Sequence, residues 1–268
     1  MGPISAALFD VNSSVESPDP WWVVEVASAC NNNCGFCCLN GEGTGARLGG
    51  EASLESRLRE GQSGGHEAVA FVGAEPTLNE RLPDAIKEAK RMGYSRLLLQ
   101  TNGRRLAYRS YASTLVESGL THVEVSLHGA LSAVHDYHTR VPKSFEHTLV
   151  GIGAARDCQV NVGVSTVITR SNFRQLVEVV ALLDRLNVRH WCLSVAQAVG
   201  AAARDFQRLI PHWGMIQPYL GDAIQIADDY GIQTVVRGVP ACFLEDSSVI
   251  ARKDTGRESF DFVCMSDR

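Results

Sequence analysis

Several features that would assign the chain to a common class of protein are missing from its 268 residues. No apolar run approaches the roughly 20 residues that a helix needs to span a bilayer, so no membrane association is expected. The N-terminal stretch MGPISAALFD lacks the basic region of a secretory signal, and Ala6 does not fit a myristoylation site. Lysine and arginine (25) are outnumbered by aspartate and glutamate (30), which argues against a nucleic-acid partner. We therefore expect a cytoplasmic protein.

Disulfides are also unexpected, although the chain contains eight cysteines. In a reducing cytosol, dense cysteine favours metal binding or catalysis over disulfide formation. Four of the eight lie in the nine residues CNNNCGFCC, from Cys30 to Cys38, directly after the apolar run WWVVEVASA. This cluster is the first candidate for a functional site.

Short strand-like runs alternate with longer helical ones along the chain. The predicted strands are residues 21–27, 68–72, 96–100, 122–127, 160–168 and 190–195, and the clearest helices are residues 82–93, 145–158 and 173–186. Regular alternation without clustered hairpin turns predicts right-handed βαβ units and a parallel sheet. Six units, fewer than the eight of a full barrel, predict an α/β fold with a partial (β/α)6 TIM-type barrel.

Three parts are expected in this organisation. Residues 1–20 form an N-terminal lead-in, residues 21–204 the partial barrel, and residues 205–268 a short C-terminal extension. A helix is predicted over residues 215–230, and an irregular, charged tail follows it. We expect this extension to cover the mouth of the barrel.

Polar clusters follow the first four predicted strands. CNNNCGFC follows the first, GAEPT the second, TNG the third and SLHG the fourth. Because the carboxyl ends of parallel strands meet at one rim, where the chemistry of such barrels resides, these clusters predict one active site.

The cysteines have the spacing C-x3-C-x2-C through Cys30, Cys34 and Cys37. Three thiolates on one short loop can hold three irons of a [4Fe–4S] cluster and leave the fourth iron without a protein ligand. A structural zinc site would need four ligands, and no second C-x2-C or nearby histidine completes one. A redox pair of Cys34 and Cys37 would leave Cys30 unexplained. An iron–sulfur site is therefore favoured, with zinc and chance clustering as alternatives.

Cys30, Cys34, Phe36 and Cys37 resemble the signature C-x3-C-x-φ-C of the radical SAM superfamily, in which φ is aromatic. The resemblance implies a [4Fe–4S] cluster bound by the three cysteines, with S-adenosylmethionine on the open iron and Phe36 near the cofactor. It also implies reductive cleavage to a 5′-deoxyadenosyl radical, and an electron donor of the flavodoxin or ferredoxin type. Cys38 is expected to be a small apolar neighbour of the cluster.

Two further motifs resemble elements of the same superfamily. FVGAEPTL resembles its GGEP motif, so that Gly73, Ala74 and Glu75 are expected to contact the amino group of the cofactor, and Ala74 replaces the usual second glycine. LQTNGRRL resembles the element after the third strand and places Thr101 and Asn102 near the cofactor.

The segment VEVSLHGALSAVHDYHTR resembles one in the molybdopterin-type and peptide-maturing branches. By this resemblance Ser126 and Arg140 hold the ribose or carboxylate of the cofactor. Asn172, in TRSN, matches a family asparagine, and a helix N-cap is an equal alternative for it. A metal site is not favoured for the three histidines of this segment, which lack a fourth ligand: His128, His135 and His138.

The glycine-rich stretch LNGEGTGARLGG, residues 39–50, lacks the G-K-[ST] ending of a phosphate loop. We interpret it as a mobile cover over the cluster.

The resemblance covers about residues 21–200 and does not include the cysteine-rich C-terminal domain of many peptide-modifying members. The cysteines outside the motif that bear on function are Cys192, Cys242 and Cys264. They are candidates for a second cluster, a structural role or, for Cys242, a catalytic hydrogen donor.

A radical SAM enzyme acting on a sugar- or nucleoside-like small-molecule substrate in natural-product biosynthesis is the favoured function. The reaction is left open between epimerisation, dehydrogenation and C–C bond formation. One alternative is a peptide-modifying enzyme that uses a partner's recognition domain, and another is a non-enzymatic iron–sulfur or zinc protein.

Overall fold

A computed structural model of the chain describes residues 21–39, 53–237 and 239. Seven β-strands form one sheet in sequence order, and every neighbouring pair is parallel. They are β1 (Trp21–Ala27), β2 (Ala68–Gly73), β3 (Arg96–Thr101), β4 (His122–Ser126), β5 (Asn161–Ile168), β6 (His190–Val195) and β7 (Gln233–Arg237). The α/β class and the partial TIM-type barrel are confirmed, with one strand more than the six expected.

Helices connect the strands and cover the outside of the sheet. They are α1 (Leu54–Ser63), α2 (Leu82–Arg91), α3 (Arg109–Ser118), α4 (Ser132–Thr139), α5 (Ser144–Asp157), α6 (Leu176–Arg185), α7 (Ala201–Arg204), α8 (Phe206–Leu209) and α9 (Trp213–Asp229). In α2, Asp84 lies in the first turn and Lys90 and Arg91 in the last, which complements the helix dipole. Among the residues that the structure describes, no helix is both long and apolar enough to cross a bilayer.

The sheet separates a large outer core from a small inner one. Alternate residues of the strands, such as Leu97 and Leu99 of β3, pack outward against the helices. The inner cluster consists of Trp21, Ala68, Ala70, Leu98 and Cys192. Trp21 on β1 and Cys192 on β6 belong to strands that are not neighbours in the sheet. Their presence in one cluster shows that the sheet curls around its inner face.

Some expectations concern parts of the chain outside the described residues. These are the lead-in of residues 1–20, residues 40–50 of the glycine-rich stretch 39–50 expected to cover the cluster, and the tail cysteines Cys242 and Cys264. They remain predictions, as does the division into three parts. The predicted helix over residues 215–230 corresponds to α9.

Candidate active site

The cysteine loop, residues 28–38, follows β1 and is held against the end of α4. The Asn33 N–H donates to Thr139 O at 2.9 Å, and the Gly35 N–H donates to His138 O at 3.3 Å. Both carbonyls belong to the last turn of α4, where helix carbonyls have no partner within the helix. The loop therefore provides hydrogen-bond donors for the last carbonyls of α4, and these bonds hold the loop in place.

The second half of the cysteine loop packs against the segment after β6. The Cys37 N–H donates to Cys34 O at 3.2 Å, closing a turn, and the Ala201 N–H donates to Cys37 O at 3.0 Å. Gly200 has φ 58, and a Cβ atom there would lie 2.5 Å from Cys37 O. Glycine is required at position 200 because the two backbones approach so closely.

The three thiols of the motif lie close enough to affect one another electrostatically. Burial, followed by repulsion from Cys37 and Cys30, raises the pKa of Cys34 to about 12. The pKa of Cys30 is also raised, chiefly by desolvation, and the negative charges of Glu75 and Cys37 add to it. Among the described residues, no three His, Cys, Asp or Glu side chains are arranged to hold a single metal ion. Three thiols on one loop are the donor set that three irons of a [4Fe–4S] cluster use, and a bound metal stabilises the thiolate form of each.

Cys38, the neighbour of the motif, is exposed to solvent rather than enclosed in an apolar shell. The neighbouring protein still desolvates the Cys38 thiol and so raises its pKa. The negative charge of a Cys37 thiolate would raise it further.

Glu75 is fully buried at the end of β2 and joins it to β3. Its Oε1 accepts hydrogen bonds from the Thr77 N–H at 3.1 Å and from the hydroxyls of Thr77 and Thr101, both at 2.6 Å. Its Oε2 accepts from the Asn102 N–H at 2.8 Å. The predicted cofactor residues Glu75, Thr101 and Asn102 therefore form one bonded group.

Asn102 links this bonded group to the cysteine loop. Its Nδ2 donates to Asn31 Oδ1 at 2.7 Å and lies 4.0 Å from Cys30 Sγ. Arg104 extends the link, because its Nη1 donates to Asn31 O and, at 2.9 Å, to Asn32 Oδ1. Arg104 was not among the predicted site residues, although it follows TNG by one position.

The backbone conformation at the end of β2 explains why the glycine motif tolerates alanine at its second position. Gly73 has φ 133, and a Cβ atom there would lie 2.4 Å from Ala27 O. Ala74 is not in the left-handed region, and its N–H donates to Ala27 O at 3.0 Å. The first position therefore requires glycine and the second does not.

Ser126 and Arg140 lie at different parts of the rim. Ser126, at the end of β4, is half-buried, and its Oγ is 3.5 Å from Ser165 Oγ. Arg140 follows α4 with φ 56 and packs its guanidinium against Gly35, where a Cβ atom would lie 3.0 Å from it. Its positive charge opposes the rise in the pKa of Cys34. Arg140 is thus positioned over the cysteine loop.

Phe36, a half-buried residue of the cysteine loop, belongs to an aromatic group with three buried histidines. The Phe36 ring meets His128 edge to face at 4.7 Å and lies 6.0 Å from His138. Burial lowers the pKa of all three histidines, to about 4 for His135. His138 donates from Nδ1 to Val134 O at 2.6 Å. These rings are neutral and pack beneath the cysteine loop, and the Nε2 of His135 is buried without a hydrogen-bond partner among the described residues.

Asn172 is buried and bridges the ends of β4 and β5. Its Nδ2 donates to His128 O at 2.9 Å and Val167 O at 2.8 Å, and its Oδ1 accepts from the Thr169 N–H at 2.8 Å. It precedes a short 3-10 helix, Phe173–Gln175, but makes no capping bond to it.

A polar wall on the inner face of the sheet was not predicted. Glu124 is buried, and desolvation raises its pKa, against the attraction of Arg237 and hydrogen bonds from Ser165 and Gln100. Burial likewise raises the pKa of Cys192 to about 12. The alternating sequence VEVS on β4 could have predicted this polar wall. Val123 and Val125 face the helices, so Glu124 between them faces the interior.

Comparison with known proteins identifies related sequences. The model of the Radical SAM superfamily matches residues 24–183. A probable GTP 3′,8-cyclase from Sulfolobus acidocaldarius is 27% identical over 184 residues, which are 68% of this chain and 58% of that protein. An AdoMet-dependent heme synthase from Nitratidesulfovibrio vulgaris is 26% identical over 182 residues, covering 67% of this chain and 48% of that protein. The chain spans about half the length of these curated relatives.

Known structures share the fold. Streptococcus suis SuiB bound to the precursor peptide SuiA has a TM-score of 0.64 at 16% identity, covering 84% of this chain and 50% of that one. Native anSMEcpe with bound AdoMet and the Cp18Cys peptide has a TM-score of 0.62 at 18% identity, covering 80% of this chain and 62% of that one. At these identities the likeness concerns the fold alone.

Proposed function

Because the chain belongs to the radical SAM superfamily, we propose that Cys30, Cys34 and Cys37 hold the [4Fe–4S] cluster that its members use. When bound, the cluster supplies the electron that cleaves S-adenosylmethionine to the 5′-deoxyadenosyl radical, which takes a hydrogen atom from the substrate. The observation that carries this assignment is that the three thiols lie on one loop, close enough to affect one another's pKa, and that backbone hydrogen bonds to Thr139, His138 and Ala201 hold this loop.

Glu75 is proposed to accept a hydrogen bond from the cofactor's amino group. Within the described part of the chain its Oε1 accepts three hydrogen bonds but its Oε2 only one, from Asn102. A carboxylate oxygen has room for a second donor, and a charged donor makes the stronger bond. The negative charge of Glu75 also reaches Cys30, which supports a position beside the cluster.

Arg140 is proposed to bind the carboxylate of the cofactor. Its guanidinium lies against Gly35, in the middle of the cysteine loop, and offers a planar set of donors. Further cofactor contacts are proposed for the remaining motif residues at this rim: Phe36, Gly73, Ala74, Thr101, Asn102, Ser126 and Asn172.

The substrate is proposed to be a polar small molecule, sugar- or nucleoside-like, from natural-product biosynthesis. Gln100, Glu124 and Ser165 present amide, carboxyl and hydroxyl groups on the inner face of the sheet, where Arg237 adds a positive charge. Such groups suit a substrate with several hydroxyl or amino groups. The names of the two relatives, a GTP cyclase and a heme synthase, also refer to small molecules.

The test is anaerobic reconstitution followed by reduction with dithionite in the presence of S-adenosylmethionine. We expect about four irons and four sulfides per chain, together with release of 5′-deoxyadenosine. The variant with Cys30, Cys34 and Cys37 all replaced by alanine should lose both, while Cys158→Ala, half-buried beside Ser113 at the end of α5, should lose neither.

A cluster retained by the folded triple variant would refute the ligand assignment. Release of 5′-deoxyadenosine stimulated by peptides but not by sugars or nucleosides would refute the proposed substrate class.

A further inference from the structure

A depression of about 550 Å³ adjoins the cysteine loop at Asn31. The residues that line it come from the cysteine loop, the segments after β2 and β3, and α5: Asn31, Leu78, Arg104, Arg105, Tyr108 and His147. We call it the arginine depression.

The two arginines of the depression are held by neutral groups. Arg104 donates to the backbone of Asn31 and to Asn32, as described above. Arg105 donates from Nη1 to Thr77 O at 2.8 Å, and its guanidinium lies 4.8 Å from the Tyr111 ring centroid. None of the ion pairs found among the described residues includes either arginine. The depression therefore keeps two positive charges on a chain whose net charge is -5.

The rim of the depression is open. The Tyr108 side chain is 70% exposed, and His147 on α5 is exposed as well. Exposed Glu146, next to His147, is the acidic side chain adjoining it along α5 and does not line the depression. Tyrosine and arginine around a shallow surface are enriched at protein interfaces, whereas small molecules are bound in enclosed clefts.

We propose that the arginine depression is the docking surface for an acidic one-electron carrier protein, with flavodoxin as its representative. The inference rests on the proposed function, since only a reducible cluster needs such a partner. Asn31 lines the depression and is the residue next to Cys30, so a carrier docked there lies directly beside the proposed cluster. In the transfer the carrier loses one electron and the cluster gains it, and no bond is made or broken.

Charge complementarity should act mainly on the rate and affinity of docking, and salt should weaken it. The test variant is Tyr108→Glu with His147→Glu, which places two negative charges on the rim. The matched control is Tyr230→Glu with His212→Glu, at the two ends of α9, where both residues are exposed. Release of 5′-deoxyadenosine is measured with dithionite and, separately, with a bacterial flavodoxin kept reduced by its reductase.

With dithionite, we expect wild type and both variants to react at the same rate. With flavodoxin, the rim variant should raise the apparent KM for the carrier about tenfold, and the control variant should leave it unchanged. The wild-type KM for flavodoxin should also rise as salt increases from about 0.02 M to about 0.2 M.

Wild type that reacts with dithionite but not with flavodoxin overturns the docking proposal, as does a KM that is insensitive to salt or equally raised in the control. If the rim variant does not react with dithionite, its KM for flavodoxin cannot be compared with that of wild type. The effect of salt on the wild-type KM for flavodoxin is then the test of the docking proposal. Absence of 5′-deoxyadenosine from wild type with dithionite overturns the proposed function instead.

Discussion

Single residues at this site have two tasks, and Glu75 is the clearest case. Its carboxylate is proposed to bind the cofactor, yet it also accepts bonds from Thr77, Thr101 and Asn102. The motif FVGAEPTL predicted the first task from its resemblance to a family. The second depends on the register of β2 against β3, which pairs Phe71 with Leu99 and so brings Thr101 near position 75. No local pattern contains that register.

We predict that Glu75→Ala weakens binding of S-adenosylmethionine by about 1.5–3 kcal/mol, the range for a hydrogen bond to a charged group. It should also lower the free energy of unfolding by at least about 2 kcal/mol, because it leaves buried donors unpaired. Calorimetry and urea unfolding measure the two effects. Glu117→Gln, an exposed change on α3, is the control and should alter neither. Full stability in the Glu75 variant would contradict the bonded group described here.

His135 is a second residue whose effect is measurable. Its pKa falls from 6.5 to about 4 in the folded chain, chiefly through burial. The unfolded chain therefore binds more protons below pH about 6.5, and stability should decline from there to pH about 4, by about 3 kcal/mol for this group. Above pH about 6.5 the contribution is fully present.

His135→Asn should reduce this loss, because asparagine can still accept from the His128 N–H but does not titrate. Urea unfolding at several pH values from 7 to 4 is the measurement, with exposed His147→Gln as the control. An unchanged pH dependence in the asparagine variant would show that His135 does not cause it.

At the scale of elements, α5 lies directly on the segment after β3. A Cβ atom at Gly151 would lie 2.1 Å from Gly103 O, whereas one at Gly153, on the same helix, would have no atom within 4 Å. The chain after β3 carries Asn102 and Arg104, which hold the cysteine loop. The packing of α5 therefore bears on the site although α5 provides no predicted site residue.

We predict opposite effects of one substitution at these two positions. Gly153→Ala should raise the free energy of unfolding by about 0.5–1 kcal/mol, because alanine is the better helix former. Gly151→Ala should lower it by about 1–3 kcal/mol through overpacking, and should reduce the iron content after reconstitution. Thermal unfolding and iron analysis are the measurements. Equal effects at both positions would contradict the close approach of α5.

The elements that carry strong periodic patterns were predicted from the sequence, and weaker ones were not. The six predicted strands lie within a residue or two of β1–β6, because buried parallel strands are nearly continuous apolar runs. The strand β7, QTVVR, is short and half exposed, and its hydrogen bonds depend on the edge of β6. Helix α3, RSYASTLVES, mixes polar residues into its buried face; a helix was expected between these strands, but its bounds were not predicted.

At the scale of the whole molecule, two thiols are candidates for the hydrogen donor to the substrate radical. Cys242 lies outside the described residues and remains the predicted hydrogen donor, on a tail expected to cover the barrel mouth. Cys192, buried on the inner face near Glu124, is a second neutral thiol, because burial keeps its pKa high. A hydrogen-atom donor must be the thiol rather than the thiolate.

We predict that Cys242→Ala keeps its iron and still cleaves the cofactor, but does not return hydrogen to the substrate radical. In deuterated water, wild-type product should carry one deuterium from the thiol, and the variant should form no such product. Cys192→Ala is the matched control and should behave as wild type. If Cys192→Ala loses the deuterated product and Cys242→Ala keeps it, Cys192 is the hydrogen donor. Loss of iron from the Cys242 variant would indicate a second cluster.

The anchoring of the cysteine loop also bears on how the protein is made. Cys30, Cys34 and Cys37 leave the ribosome before the groups that fix their loop, Thr139 and Ala201, which follow more than a hundred residues later. Contacts so distant in sequence form late in folding. An iron–sulfur carrier that delivers its cargo during synthesis would therefore meet an unshaped loop. Maturation should instead follow release of the folded chain, and apoprotein purified without iron should already present the complete loop to an incoming cluster.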